Sequence, residues 1–124
     1  DDIPQTLPAE NHINSIIDFT KNYEDNENIV IHCWCGVSRS MATATYILCS
    51  FNTSNIDRNI RYIRSIAPHA NPNKLMIRLF EEKLNILNQI SKAYKLYPYT
   101  KVYDCSSNFA PITLFNVNEM EEFK

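Results

Sequence analysis

The segment HCWCGVSRS, residues 32–40, combines residue types that could carry out chemistry on a phosphate. Arg39 follows Cys33 by six positions, and the single glycine of the chain, Gly36, lies between them. A short loop that enters a helix directs several backbone N–H groups at one point, where the helix dipole adds positive charge. Such a loop binds an oxyanion and lowers the pKa of a cysteine at its base. The segment therefore predicts a nucleophilic Cys33 beside a bound phosphate.

Three further side chains of this segment suit that chemistry. Arg39 is expected at the first turn of the helix, where its planar guanidinium can bind two equatorial phosphate oxygens, a geometry that lysine does not reproduce. The hydroxyl of Ser40 can donate to the sulfur when the thiolate leaves, and His32 is better suited to orienting the loop than to acting as a base. With Arg39, the predicted phosphate-binding residues are Trp34, Cys35, Gly36, Val37 and Ser38.

The secondary structure around this segment is expected to change from strand to helix. The apolar run 29–31 is typical of a buried strand, and residues 40–51 have the composition and length of a helix. Two more helices are predicted downstream. One opens with Ser54 and Asp57 in capping-box spacing and continues with isoleucines at helical intervals, which places them on one face. The other is a long apolar pattern over residues 72–90.

The sequence HCWCGVSRS resembles the HCx5RS signature of the cysteine-dependent protein tyrosine phosphatases, including the dual-specificity branch. With average residue usage, these four residues in this register arise by chance in about one of 10^4 chains of this size. The similarity spans residues 2–90 and looks closest to compact bacterial members. It implies an α/β fold with a central, mainly parallel sheet flanked by helices. That sheet would be incomplete at the N-terminus, because the family's upstream strands are absent.

The resemblance also implies roles for residues outside the motif. Family members place a general-acid aspartate before the helix that precedes the cysteine strand, and Asp1 and Asp2 occupy that region. Asp2 is preferred, because a residue at a chain end is often poorly ordered. The acid protonates the leaving oxygen and then activates water against a phosphocysteine. Asn73, in a stretch similar to the family's proline-asparagine segment, is expected to line the substrate pocket.

The expected function is hydrolysis of a phosphorylated protein or another phosphomonoester, without cofactor or metal. The alternative is a catalytically weak pseudophosphatase or phosphate-binding scaffold. A rhodanese-like sulfur transferase gives no reason for Arg39 and Ser40 in this register. A zinc site built from His32, Cys33 and Cys35 would need a distant fourth ligand. A phosphoinositide phosphatase would more often carry lysines inside the loop, which favours phosphoprotein substrates.

Composition limits the classes of partner and the cellular compartment that we expect for the chain. A chain of 124 residues with 44% hydrophobic residues predicts a globular domain, and its net charge of −2 gives no broad positive field for nucleic acid or a membrane surface. Cys33 and Cys35 are too close for an ordinary disulfide, and Cys49 and Cys105 are interpreted as structural thiols. A reducing, cytoplasmic location is expected. The chain begins at Asp1 rather than at methionine, as a fragment or processed form would.

The chain is predicted to divide near residue 93. Residues 1–93 would form the catalytic domain, and residues 94–124 an extended tail that packs on it, because Pro98 and Pro111 interrupt short aromatic and β-branched runs.

Three arginines, Arg58, Arg61 and Arg64, recur every three residues. This pattern is more typical of a solvated helix face than of a surface that recognises an acidic substrate.

Overall fold

The computed structural model describes residues 38–102 and 113–124, and the regular secondary structure within these ranges is helical. The helices are α1 Arg39–Phe51, α2 Ile56–Ile66, α3 Lys74–Leu84, α4 Gln89–Leu96 and α5 Val117–Glu122. None of the helices in the described ranges is long and apolar enough to cross a membrane.

The predicted α/β fold with a central, mainly parallel sheet is wrong. Within residues 38–102 and 113–124 the structure contains helices and no strand. The apolar residues of these helices recur every three or four positions, so each helix buries a stripe instead of the alternating face that a strand would bury. The sheet was implied by the family resemblance and not by this periodicity. The run 29–31, on which the strand prediction rested, lies outside the described residues.

Helix α2 shows how residue spacing builds the core. Ile56, Ile60 and Ile63 lie on one face of the helix and are 4%, 0% and 0% exposed. Burying each of these side chains stabilises the fold by roughly 1.5–3 kcal/mol. Helices α1 and α3 meet where Tyr46 stacks on Phe80, with ring centroids 4.5 Å apart. Both rings belong to the same core cluster as the isoleucines of α2.

The apolar pattern over residues 72–90, predicted as one helix, folds as the two helices α3 and α4. The chain turns between them at Asn85 and Asn88, whose φ angles of 58° and 68° are left-handed. Asparagine adopts this conformation more readily than most residues. The buried carboxylate of Glu81 accepts hydrogen bonds from the backbone N–H and the hydroxyl of Ser91, at 2.8 and 3.1 Å. Glu81 thereby joins α3 to the first turn of α4.

The C-terminal residues fold back onto α2. Tyr62 makes edge contacts with the rings of Phe115 and Phe123, at 6.2 and 5.7 Å between centroids, and its hydroxyl accepts the N–H of Asn116 at 2.8 Å. Met120 of α5 is fully buried. The sequence did not predict α5, because a six-residue helix is too short to show a clear apolar period.

Candidate functional site

Most residues of the predicted phosphate site precede the described part of the chain, so their positions and roles stay predictions. Those residues are Asp1, Asp2, His32, Cys33, Trp34, Cys35, Gly36 and Val37. The structure describes Ser38, Arg39, Ser40 and Asn73.

Ser38, Arg39 and Ser40 form the beginning of α1. Ser38 is the N-cap residue, and its carbonyl accepts the N–H of Ala42 at 3.0 Å as the first hydrogen bond of the helix. Ser38 and Arg39 are half-buried, and Ser40 is only 4% exposed. The hydroxyl of Thr43 donates to the carbonyl of Arg39 at 3.1 Å. Arg39 therefore lies in the first turn of the helix, as the sequence predicts.

Asn73 connects this helix start to the beginning of α3. Its backbone N–H donates to the carbonyl of Ser38 at 3.2 Å, and its side-chain oxygen accepts the N–H of Met76 at 2.9 Å. The structure thus brings the end of the predicted phosphate loop into contact with the proline-asparagine segment. The side chain of Asn73 caps α3, and its place in a substrate pocket stays a prediction.

Helix α1 differs from its described neighbours in how its first turn is completed. Side-chain oxygens of Asn55, Asn73 and Asn116 accept an N–H in the first turns of α2, α3 and α5, and Glu81 does so for α4. The side chain of Ser38 makes no such bond, although serine is among the preferred N-caps. The dipole of α1 adds positive charge at this start, which suits an oxyanion.

A buried hydroxyl pair fixes α1 to α4. The hydroxyl of Thr45 donates to the carbonyl of Met41 at 2.7 Å and lies 2.6 Å from the hydroxyl of Tyr94. Because the one hydroxyl proton of Thr45 is already used, Tyr94 must be the donor of the second bond. Burial raises the pKa of Tyr94, so this donor keeps its proton at neutral pH. The helix that carries Arg39 is therefore held at its middle.

Cys49 is the thiol that the structure describes, and it is unsuited to catalysis. It is free, 0% exposed and part of the main core cluster. Burial raises the pKa of Cys49 to about 12, although a hydrogen bond with Asn59 opposes this shift. The thiol is consequently protonated at neutral pH. The prediction of a structural role for Cys49 is confirmed.

The repeated arginines of α2 do not share one environment. Arg61 pairs with Asp57 at 2.9 Å on the surface, as a solvated face would. Arg64 is half-buried and lines a cavity of about 470 Å³. The described walls of this cavity include Pro72, Lys74, Tyr94, Lys95 and Tyr99. The prediction of a solvated face is wrong for Arg64, because a repeat of three residues does not show which member points inward.

The described residues contain no group of three potential ligands that could hold a metal ion. A zinc site at residues 32, 33 and 35 is not tested, because His32, Cys33 and Cys35 lie outside the described ranges.

Comparison with known proteins finds matches in sequence but none in structure. The family of dual specificity phosphatase catalytic domains matches residues 2–84. A protein of Acanthamoeba polyphaga mimivirus, whose name assigns it provisionally to the tyrosine-protein phosphatases, is 35% identical over 63 residues. The matched part covers 48% of this chain and 30% of the viral protein. No solved structure matches the chain.

Proposed function

Because this chain belongs to the family of dual specificity phosphatase catalytic domains, we propose that it hydrolyses phosphomonoesters on proteins with Cys33 as the nucleophile. The observation that carries the proposal is the position of Arg39, which opens α1 six residues after Cys33. The start of α1 at this point supports it, because the helix dipole adds positive charge where the phosphate would bind.

The first chemical step transfers the phosphoryl group to sulfur. The thiolate of Cys33 attacks phosphorus, the S–P bond forms, and the bond from phosphorus to the leaving oxygen breaks. Asp2, or Asp1 in its place, gives its proton to that oxygen. Arg39 binds two equatorial oxygens, so its fixed positive charge stabilises the negative charge of the transition state.

The second step releases phosphate. The same aspartate, now a carboxylate, takes a proton from water as the water oxygen attacks phosphorus and the S–P bond breaks. Ser40 donates a hydrogen bond to the departing thiolate, and His32 orients the loop. The backbone N–H groups of residues 34–38 bind the phosphate oxygens in both steps.

The surroundings of α1 suit this chemistry because they limit movement of the helix that carries Arg39. Stacking of Tyr46 on Phe80 holds the helix against α3, and the Thr45–Tyr94 hydrogen bond holds it against α4. A positioned guanidinium needs no reorganisation when charge develops on the phosphate, which is the main source of electrostatic catalysis.

The proposed substrates are phosphoproteins that carry phosphotyrosine, with phosphoserine or phosphothreonine as a second class. The name of the mimiviral relative supports phosphotyrosine, and the matched family supports both classes. The chain spans about 30% of the length of that relative.

Hydrolysis of a simple aryl phosphate tests the proposal. The wild type is expected to turn over this substrate, and Cys33→Ser to lose at least about 10³-fold in kcat/KM because serine is a far weaker nucleophile here. Asp2→Asn is expected to lose about 10²–10⁴-fold, the usual contribution of a general acid. Cys49→Ala is the matched control, because it removes a buried thiol that takes no part in the reaction.

Three outcomes would change the assignment. Activity of Cys33→Ser equal to that of the wild type excludes the covalent mechanism. A normal Asp2→Asn variant with an impaired Asp1→Asn variant moves the acid role to Asp1. A wild type that binds phosphate analogues but does not turn over substrate is the phosphate-binding scaffold instead of the enzyme.

A further inference from the structure

The cavity beside Arg64 concentrates positive charge. Arg64, Lys74 and Lys95 line it, and no acidic side chain is among the described residues of its wall. Neither lysine forms a salt bridge within the described part of the chain. With a volume of about 470 Å³, the cavity has the size of a ligand site and a wall that favours an anion.

Arg64 is the fixed cation of this cavity. Its Nε donates to the carbonyl of Tyr97 at 2.9 Å, and its Nη1 lies within 3.3 Å of the carbonyl oxygens of Ala67, Pro68 and Ala70. The guanidinium carbon lies 5.5 Å from the centre of the Tyr94 ring. Nη2 takes part in none of these four bonds. The carbonyl oxygens hold the guanidinium in one orientation without neutralising it, so an anion meets a charge that is already in position.

The cavity lies close to the start of α1. Lys74 follows Asn73 directly, and the N–H of Asn73 is bonded to the carbonyl of Ser38, the residue before Arg39. Standard backbone dimensions therefore allow at most about 11 Å between the Cα atoms of Lys74 and Arg39. An extended peptide covers about 3.3 Å per residue, so about three residues are enough to span this distance.

From these contacts we infer that the cavity is a second substrate subsite, which binds an anionic side chain about three residues away from the phosphorylated residue. The inference rests on the proposed function and specifies its substrate class. The anion is a carboxylate or a second phosphate, since both present oxygens that accept from Arg64, Lys74 and Lys95. Substrates with such a group bind at both places, whereas those without it bind at the phosphate loop alone.

The rest of the wall indicates what accompanies the anion. Ile77, Pro72 and the rings of Tyr94 and Tyr99 line the same cavity. These groups are apolar except for the tyrosine hydroxyls, and that of Tyr94 is bonded to Thr45. A substrate's apolar side chain next to the anionic one can therefore be buried against these groups, and we expect this contact to increase the preference for that substrate.

A set of phosphotyrosine peptides tests the subsite. The peptides are identical except that the residue three positions before or after the phosphotyrosine is Gln, Glu or phosphoserine. We expect the wild type to favour the better-placed Glu or phosphoserine peptide by about five- to tenfold in kcat/KM over the Gln peptide. The double variant Lys74→Gln/Lys95→Gln should lower this ratio to about one. Lys92→Gln, an exposed lysine of α4 outside this cavity, should keep the wild-type ratio.

Binding of the same labelled peptides to Cys33→Ser, followed by fluorescence anisotropy, gives a readout that does not need turnover. A wild type without preference among the peptides, or a double variant with the wild-type ratio, overturns the subsite. If only the phosphoserine peptide is preferred over the Gln peptide, the ligand of the subsite is a second phosphate. If the Glu peptide is preferred equally, the subsite accepts either anion. If the wild type hydrolyses no substrate, the proposed function is wrong. The ratios of peptide affinity from anisotropy still show whether the subsite binds an anion.

Discussion

Helices α1 and α3 begin side by side, joined by the hydrogen bond from the N–H of Asn73 to the carbonyl of Ser38, yet their first turns are completed in different ways. Asn73 caps its own helix through its side chain, and Ser38 does not. A cap such as that of Asn73 contributes about 1 kcal/mol of stability. The start of α3 is therefore complete within the protein. At the start of α1 the side chain of Ser38 contributes no such cap, and we propose that a bound oxyanion accepts from N–H groups there.

The largest expected effect comes from changing the first residue of α1. Arg39→Lys keeps the positive charge but loses the planar pair of donors, so we expect kcat/KM for an aryl phosphate to fall by about 10²–10³-fold. Arg78→Lys on α3, an exposed residue 3.9 Å from Glu82, is the matched control and should retain activity. If kcat/KM falls no more in Arg39→Lys than in the control, Arg39 does not bind the phosphate.

Giving α1 the kind of side-chain cap that α3 has should remove the difference between the two helix starts. In Ser38→Asn, the new side-chain oxygen can accept an N–H in the first turn and so compete with a bound oxyanion. We expect inhibition by vanadate to weaken about tenfold, while a stabilisation of about 1 kcal/mol raises Tm by about 4 °C. Greater thermal stability with unchanged vanadate inhibition would show that the anion binds elsewhere.

Removing the cap of α3 tests the contact between the two helix starts. We expect Asn73→Ala and Asn55→Ala each to lower the free energy of unfolding by about 1 kcal/mol, measured by urea denaturation. Only Asn73→Ala should also lower kcat/KM, by a few fold, because a frayed α3 no longer holds the carbonyl of Ser38. Equal kinetic effects of the two variants would mean that the Ser38–Asn73 contact has no role in positioning the site.

The effect that is smallest at neutral pH comes from the far end of α1, where Cys49 is buried. The pKa of Cys49 is raised from 9.0 to about 12 in the folded protein, so the unfolded chain loses this proton at lower pH. Its contribution to stability is complete below pH 9.0 and is lost as the pH rises towards 12. Urea unfolding of wild type and Cys49→Ala across this range should show a shallower decline for the variant, and parallel declines would contradict the raised pKa.

The sequence predicted the elements whose apolar residues repeat at the helical interval. It placed Arg39 in the first turn of α1 and the isoleucines of α2 on one buried face, because burial itself produces that spacing. It did not identify Asn55 as the cap of α2, since neighbouring Ser54 is also a favoured cap residue and only the backbone conformation selects between them.

The remaining features depend on contacts that periodicity does not record. The break between α3 and α4 follows from the left-handed backbone of Asn85 and Asn88. The inward position of Arg64 depends on carbonyl groups from the turn after α2. The central sheet was an inference from resemblance, and the described helices contradict it. The motif residues from His32 to Val37 lie outside the described ranges, so their site remains a proposal.

Trapping of the covalent intermediate is the sharpest test of Cys33 as the nucleophile. A reaction of the wild type with a phosphotyrosine peptide is quenched in acid within the first turnovers, digested and examined by mass spectrometry. We expect a phosphate adduct on the peptide that contains Cys33 and no adduct in Cys33→Ser. Turnover that leaves Cys33 unmodified, or that places the phosphate on another residue, would contradict it.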